Sequence, residues 1–283
     1  MPLMGAFLYA RIPNMLKYPR ILLTAGWRLL FDFTFYINRY AKHPERYSIE
    51  ERYAKVRSLI IYILDHFRID WKIEGIENLK ALNDSSKPFL MAPNHMSDLD
   101  PLALVYLSEK PISFVAKKET TKMPFIGTAV KALDGFFMDR DDLRQSLTVI
   151  RGVEQKLKEG HCSYIIFPEG TRNKRPAVTG VSPFRPGSFK AAYLGQTPIL
   201  PVSIYGTFRP FHSNPDYKRN LLQFTFFKPD TYEDYEKMDT VAYANKAHEL
   251  IQNEVDRQKE IDRLYFEKGY EKIPLRKGPL KIE

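Results

Sequence analysis

From about residue 69 onward, short apolar runs alternate along the chain with stretches of helical periodicity. WKIEGI, PFLMAPN, ISFVAKK, GFFMDR, SYIIFPE, ILPVSIYG and LLQFTFF read as strands. Helical patterns lie between several of them: PLALVYL, the long DDLRQSLTVIRGVEQKLKEG, and FKAAYL. The long one ends at Gly160, the residue type best suited to the left-handed conformation that closes a helix. Strands alternating with helices predict an α/β fold with a mostly parallel or mixed sheet flanked by helices. Residues 239–272 read as a charged, solvated terminal helix, and PLRKGPLKIE after it as a basic tail. No internal repeat and no low-complexity linker is evident.

Ahead of this block the pattern is different. ILLTAGWRLLFDFTFYINRY, residues 21–40, is rich in Leu, Phe, Trp and Tyr, and Thr24, Arg28 and Asp32 recur every four residues as a narrow polar stripe on a helix. No uninterrupted apolar run reaches the roughly 18 residues of a spanning helix. MPLMGAFLYA carries no basic residue ahead of its apolar stretch and does not make a signal peptide. Residues 1–47 hold seven Lys/Arg against Asp32 and Glu45. A broad apolar face, a polar stripe and basic flanks describe an amphipathic helix lying in a membrane interface; the alternative is a helix packed on the protein's own core. SIEERYAKVRSLIIYILDHF follows as a second helix, with Ser48 and Glu51 spaced for a capping box. The chain therefore divides into an N-terminal helical membrane-association segment, 1–68, and an α/β domain with its C-terminal helix and basic tail, 69–283.

The whole chain has 283 residues, 44% of them apolar, enough for a sizeable core. Its net charge of +9 suits an anionic partner: nucleic acid, acidic lipid or a phosphorylated small molecule. No nucleic-acid motif accompanies the charge, so no nucleic-acid partner is expected. The single cysteine, Cys162, excludes an internal disulfide and suits a reducing compartment. The six histidines have no familiar metal spacing, so no metal site is expected.

NHMSDLDP, residues 94–101, carries the first candidate chemistry. Five residues on a helix turn the face by about 140°, so His95 and Asp100 would diverge if the stretch were helical. Pro101 disfavours helix at Asp100 but suits a first helical turn. The stretch reads as a loop carrying His95, with Asp100 capping the helix LALVYL and the bend returning its carboxylate to the imidazole. The plainer alternative is an N-cap beside an unrelated loop histidine. SYIIF runs into PEGTR, where Pro168 stops the strand and Gly170 permits a turn or a close ligand. Glu169 and Arg172 there are either a local ion pair or an anion site, with Arg172 on a phosphate and Glu169 orienting it or binding a hydroxyl. Arg140 follows GFFMD, and Lys117 and Lys118 follow ISFVA, at the carboxyl ends of two more strands. No Gly-x-Ser-x-Gly elbow is present, and Cys162, opening an apolar strand, reads as structural.

These stretches resemble the glycerolipid acyltransferases, in particular the 1-acyl-glycerol-3-phosphate (lysophosphatidic acid) acyltransferases. Asn94 to Asp100 match the first block of that family, Asn-His-x-Ser-x-x-Asp; Phe167 to Arg172 match the third, Phe-Pro-Glu-Gly-Thr-Arg; Pro198 to Ile204 match the fourth, Pro-Ile-x-Pro-Val-x-Ile. In the second, Gly-x-x-Phe-Ile-x-Arg, Phe137, Met138 and Arg140 align while Gly135 lies one residue nearer the arginine. The blocks occur in order over roughly residues 70–230. The resemblance implies transfer of a fatty acyl group from acyl-CoA or acyl carrier protein to the hydroxyl of lysophosphatidic acid, giving phosphatidic acid, with no cofactor beyond the thioester co-substrate. It implies that His95 is the general base, that Asp100 orients and stabilises it, and that Lys117, Arg140, Glu169, Gly170 and Arg172 form the phosphate site. With the amphipathic N-terminal segment and the single cysteine, a peripheral or monotopic protein on the cytoplasmic face of a membrane is expected. Another acceptor, a lysophospholipid or glycerol-3-phosphate, or a non-catalytic basic lipid-binding protein, are the alternatives.

Overall fold

The computed structural model describes residues 19–85, 87–173, 175, 177–212 and 217–274, with residues 19–25 and 211–212 described by backbone alone. The first 18 residues of the N-terminal segment and the basic tail from residue 275 lie outside it. All seven apolar runs are strands: β1 (Ile69–Glu74), β2 (Leu90–Pro93), β3 (Ile112–Lys117), β4 (Phe136–Met138), β5 (Ser163–Ile165), β6 (Ile199–Tyr205) and β7 (Asn220–Phe226). They form one sheet in the order β1-β7-β6-β2-β5-β3-β4. Every pairing is parallel except β6 with β7, where Val202 opposes Phe226. The expected mixed, mostly parallel sheet is thus what forms.

Helices cover both faces, and strand alternation divides the apolar residues between them. Met91, Leu200, Val202 and Ile204 point to one core with Tyr53, Leu59, Leu99 and Leu104. Leu90, Ala92, Ile199 and Tyr205 point to the other with Val153, Leu157, Ile251 and Val255. The first face is covered by an N-terminal helical run and by α3 (Ile49–Leu64), α4 (Ile76–Asp84), α5 (Asp100–Leu107) and α6 (Pro124–Ala132). That run is α1 (Pro19–Asp32), a π-helical segment Phe33–Ile37, and α2 (Asn38–Lys42). The second face carries α7 (Leu143–Lys158), α8 (Lys190–Gly195) and α11 (Thr240–Glu267); of two further short helices, α9 (Arg209–His212) joins β6 to β7 and α10 (Tyr232–Tyr235) lies between β7 and α11.

The terminal helix corrects its sequence reading. Most of its charge lies on one side: Tyr243, Ala247, Ile251, Val255 and Tyr265 are buried, with Asp262 the charged residue among them, so α11 is a core element. The capping box at α3 is half made. Ser48 Oγ accepts the Glu51 N–H at 3.2 Å, but the Glu51 carboxylate accepts from Tyr40 Oη at 3.1 Å instead of returning to residue 48. Gly160 closes α7 with φ +73°, as its position predicts.

The N-terminal run is inverted relative to an ordinary surface helix. Asp32, on the polar stripe, is 2% exposed and faces inward, held by Lys55 Nζ at 2.7 Å and by Arg28 Nε at 3.4 Å. Arg28 lies over the Tyr62 ring of α3, 4.5 Å from its centroid. The apolar side faces outward: Trp27 is 68% exposed, and Leu30, Phe31, Phe35 and Tyr36 are exposed beside it. The surface continues through Phe33, whose ring meets that of Phe125 at 4.6 Å, to exposed Met123, Phe125 and Ile126 at the start of α6. Among the described residues no helix is long and apolar enough to cross a membrane.

Candidate active site

β2, β5, β3 and β4 are mutually parallel, so the loops after them emerge along one edge of the sheet, where α/β folds collect their ligands. β2 delivers the first of these loops. Asn94, fully buried, clamps it to β6: its Nδ2 donates to the Ile204 carbonyl at 3.0 Å and its Oδ1 accepts the Ile204 N–H at 2.7 Å. Ser97 Oγ donates to the Thr207 carbonyl at 3.0 Å and accepts the Leu99 N–H at 3.0 Å, which fixes the turn into α5.

The bend brings Asp100 back to His95, as the loop reading expects, with a different capping arrangement. Asp100 is the first residue of α5 and Leu99 its N-cap. The Asp100 carboxylate does not cap its own helix; it turns into the preceding loop. Its Oδ2 accepts from Met96 N at 2.6 Å, Ser97 N at 2.8 Å and His95 Nδ1 at 2.7 Å. Asp100 has no solvent exposure, and a charge so buried requires donors of this kind. Its second oxygen, Oδ1, is buried without a partner. Because an ionised carboxylate only accepts, the proton of a neutral His95 sits on Nδ1 and the lone pair on Nε2. The imidazole stacks on Phe167, ring centroids 3.9 Å apart and 22° between planes.

Glu169, on the loop that follows β5, acts on the backbone of the same histidine. It is buried, Oε1 accepting the His95 N–H at 2.6 Å and Oε2 the Ser182 N–H at 2.9 Å. Burial pushes its carboxyl above the ordinary range, against the pull of those amides and of His95. The His95 carbonyl accepts from Asn173 N at 2.9 Å. His95 is therefore held at its N–H, its carbonyl and its ring. Glu169 does not pair with Arg172, so the local ion pair read from the sequence does not form; Arg172 instead pairs with Asp98 of the His95 loop, and both are exposed.

The cations differ in what surrounds them. Lys117 is paired with Glu119 at 2.8 Å and Lys118 with Asp139 at 2.9 Å. Arg140 is half-buried and makes no ion pair among the described residues. Burial, and then the charge of Arg185, push its guanidinium below its ordinary value against the pull of Glu119. Gly170, at φ +75°, stands beneath the Arg185 side chain; a Cβ there would lie 2.7 Å from Arg185 Nε. Arg185, Asp98, Ser182 and Phe167 were not singled out in the sequence. Phe167 and Asp98 lie inside recognised blocks, whereas Arg185 and Ser182 approach the site only through the fold. Cys162 is buried, its thiol pushed up to about 12, consistent with a structural residue. Among the described residues no cluster of His, Cys, Asp or Glu could hold a metal ion.

The acyltransferase family model matches residues 70–205, the stretch that builds this edge. A probable 1-acyl-sn-glycerol-3-phosphate acyltransferase of Mycoplasma genitalium is 33% identical over 202 residues, 69% of this chain and 69% of its own length. The 1-acyl-sn-glycerol-3-phosphate acyltransferase of Saccharomyces cerevisiae is 29% identical over 196 residues, 68% of this chain and 61% of its own. In structure the chain is similar to the 1-acyl-sn-glycerophosphate (LPA) acyltransferase PlsC of Thermotoga maritima, with a TM-score of 0.58 at 22% identity over 89% of this chain and 97% of that one, a likeness of fold. Motifs, sheet edge and sequence similarity agree, and the chain belongs to the acyltransferase family.

Proposed function

We propose that this protein transfers a fatty acyl group from an acyl thioester, on coenzyme A or acyl carrier protein, to the free hydroxyl of lysophosphatidic acid, giving phosphatidic acid for phospholipid synthesis. The observation that carries the reading is the His95–Asp100 pair, with Nδ1 tied down at 2.7 Å and Nε2 left as a base. Nε2 takes the proton of the acceptor hydroxyl while its oxygen attacks the thioester carbonyl. Collapse of the tetrahedral intermediate breaks the C–S bond, and the imidazolium returns the proton to the departing thiolate. Buried Asp100 stabilises the imidazolium between these steps. The nucleophile is the substrate's own alcohol, so no enzyme serine takes part. Glu169 braces the backbone of the base, and Lys117, Arg140, Gly170 and Arg172 line the phosphate side of the same edge.

The acceptor is a lipid, and the exposed aromatic face of α1 supports attachment to a bilayer as a peripheral or monotopic protein. A soluble helix turns its charges outward; here Asp32 is inward and Trp27 outward. In this reading residues 1–68 are the membrane-facing segment and residues 69–283 the transferase body. The test is an assay of purified protein in mixed micelles with acyl-CoA and acyl carrier protein donors against lysophosphatidic acid, other lysophospholipids, glycerol-3-phosphate and monoacylglycerol. Lysophosphatidic acid should be the best acceptor, and His95→Ala should lose activity by roughly 10²–10⁴. Equal use of monoacylglycerol would remove the phosphate from the acceptor assignment.

A further inference from the structure

The cations at this sheet edge are not equally available to an anion. Lys117, Lys118 and Arg172 each have a carboxylate partner, in Glu119, Asp139 and Asp98. Arg140 has none among the described residues, and neither does Arg185. These two are nonetheless close enough for the charge of Arg185 to work against that of Arg140. Arg185 is exposed, but its side chain lies along the PEGTR loop. Its N–H donates to the Pro168 carbonyl at 2.9 Å, beside Glu169, and its side chain runs across the face of Gly170, where a Cβ would lie 2.7 Å from Nε and 3.0 Å from Cδ. It is thus held against the loop that braces His95, within electrostatic reach of Arg140 on the loop after β4. Two guanidinium groups whose charges act on each other, one half-buried and neither in an ion pair among the described residues, favour an anion with several oxygens between them, even with the longer-range pull of Glu119 on Arg140. A phosphate supplies such oxygens, and guanidinium forks match them.

We propose that Arg185 is a phosphate ligand for the acceptor, forming with Arg140 a two-arginine clamp at the mouth of the site. The inference rests on the acceptor reading given above and adds to it a residue outside the four matched blocks. Arg172 then begins from its pair with Asp98, and the clamp, not Arg172 alone, supplies most of the preference for a phosphorylated acceptor. Glycine at 170 is required twice, for its positive φ and for the passage of the Arg185 side chain.

The experiment compares full-length wild type, Arg185→Ala, Arg185→Lys and Arg140→Ala in mixed micelles, with lysophosphatidic acid and monoacylglycerol as acceptors and acyl-CoA as donor. Arg185→Ala should raise the KM for lysophosphatidic acid on the order of ten- to a hundredfold, the loss expected of one charge-assisted bond. The KM for acyl-CoA and the rate with monoacylglycerol should hardly move. Inhibition by glycerol-3-phosphate should weaken in parallel, and Arg185→Lys should recover only part of the loss because it lacks the fork. Arg185 is exposed, so the variants should melt with wild type. An Arg185→Ala enzyme that keeps the wild-type KM and the wild-type preference for phosphate would overturn the clamp and leave the acceptor assignment standing. So would a variant that melts early and loses kcat with KM unchanged, since that is a packing defect. A wild type without preference for the phosphorylated acceptor would overturn both.

Discussion

Replacing Asp100 by Asn tests the core of the mechanism, because the structure limits how the new side chain can sit. Met96 N–H and Ser97 N–H both point at Oδ2, so the amide oxygen must take that place; turned the other way, the NH2 would face three donors. The NH2 then occupies the place of Oδ1, which is buried and has no partner. One orphaned donor costs about 1–3 kcal/mol, and three charge-assisted bonds become neutral ones of roughly half the strength. Because the neutral amide also escapes the cost of burying a charge, a net loss of about 2–4 kcal/mol follows, or a fall in Tm of about 4–8 °C for a domain of this size. The rate falls for a separate reason. The amide oxygen still accepts from Nδ1, so the histidine keeps its tautomer but loses the negative charge opposite its imidazolium. The expected decrease in kcat is roughly 10²–10³, milder than the ~10⁴ of serine-protease triads in which the same change also turns the tautomer. Thiol release from acyl-CoA at saturating lysophosphatidic acid measures it, alongside thermal unfolding. Because the two residues act as one unit, His95→Ala with Asp100→Asn should be no slower than His95→Ala alone. An Asn variant within tenfold of wild type, or multiplicative losses in the double variant, would refute this account of the pair.

Glu169→Gln should keep one of its two backbone bonds and oppose a donor at the other, costing about 1–3 kcal/mol; an unchanged Tm would argue against the brace on His95. Gly170→Ala should cost about 1–2 kcal/mol for the left-handed backbone and also displace Arg185, so acceptor kcat/KM should fall more than stability alone explains. Asp134 accepts from Arg52 at 2.8 and 2.7 Å and is 2.7 Å from His161 Nε2. Burial alone would push its carboxyl up, but these partners bring it below its ordinary value of 3.8. Its contribution is therefore present above about pH 4 and lost as pH falls through the folded value. The stability difference between wild type and Asp134→Asn, a residue that tolerates the φ of +55° there, should shrink in urea titrations as pH drops from 5 toward 3. Trp27→Ser with Phe31→Ser and Phe35→Ser should abolish most sedimentation with acidic liposomes while leaving Tm nearly unchanged, since all three side chains are exposed; unchanged sedimentation would place the attachment elsewhere.

The strands were legible because each is a short apolar run between breakers, and all seven form. Four helices carry no such signal, and α9 and α10 are only four residues each. IENLKALND of α4 is only nine residues long and begins at the end of the strand-like run WKIEGI, and PFIGTAVKA of α6 has only Thr128 and Lys131 as polar positions. The buried face of α11 was hidden by the charge density around it, although Tyr243, Ala247, Ile251 and Val255 recur every four residues. At the site, the return of Asp100 to His95 followed from the Pro101 bend, but its backbone donors did not, because a carboxylate near a helix start is ordinarily a cap. Glu169 and Arg172 are three residues apart, which made a local pair the natural reading. Each instead finds its partner on the loop of His95, some 74 positions away, a contact that only strand order creates. Arg185 reaches the edge in the same way.

The buried Asp32 also fixes how the outward aromatic face is mounted. Swinging α1 away from α3 would strip that carboxylate of Lys55 and Arg28 and strand it in whatever medium the helix entered. The helix is therefore bolted to the body like an outrigger, not tethered like a float. Whatever surface Trp27 and Phe31 rest on, His95 stands off from it at one constant height and tilt, and a substrate lying in that surface must rise to the base, since the base cannot be lowered to meet it.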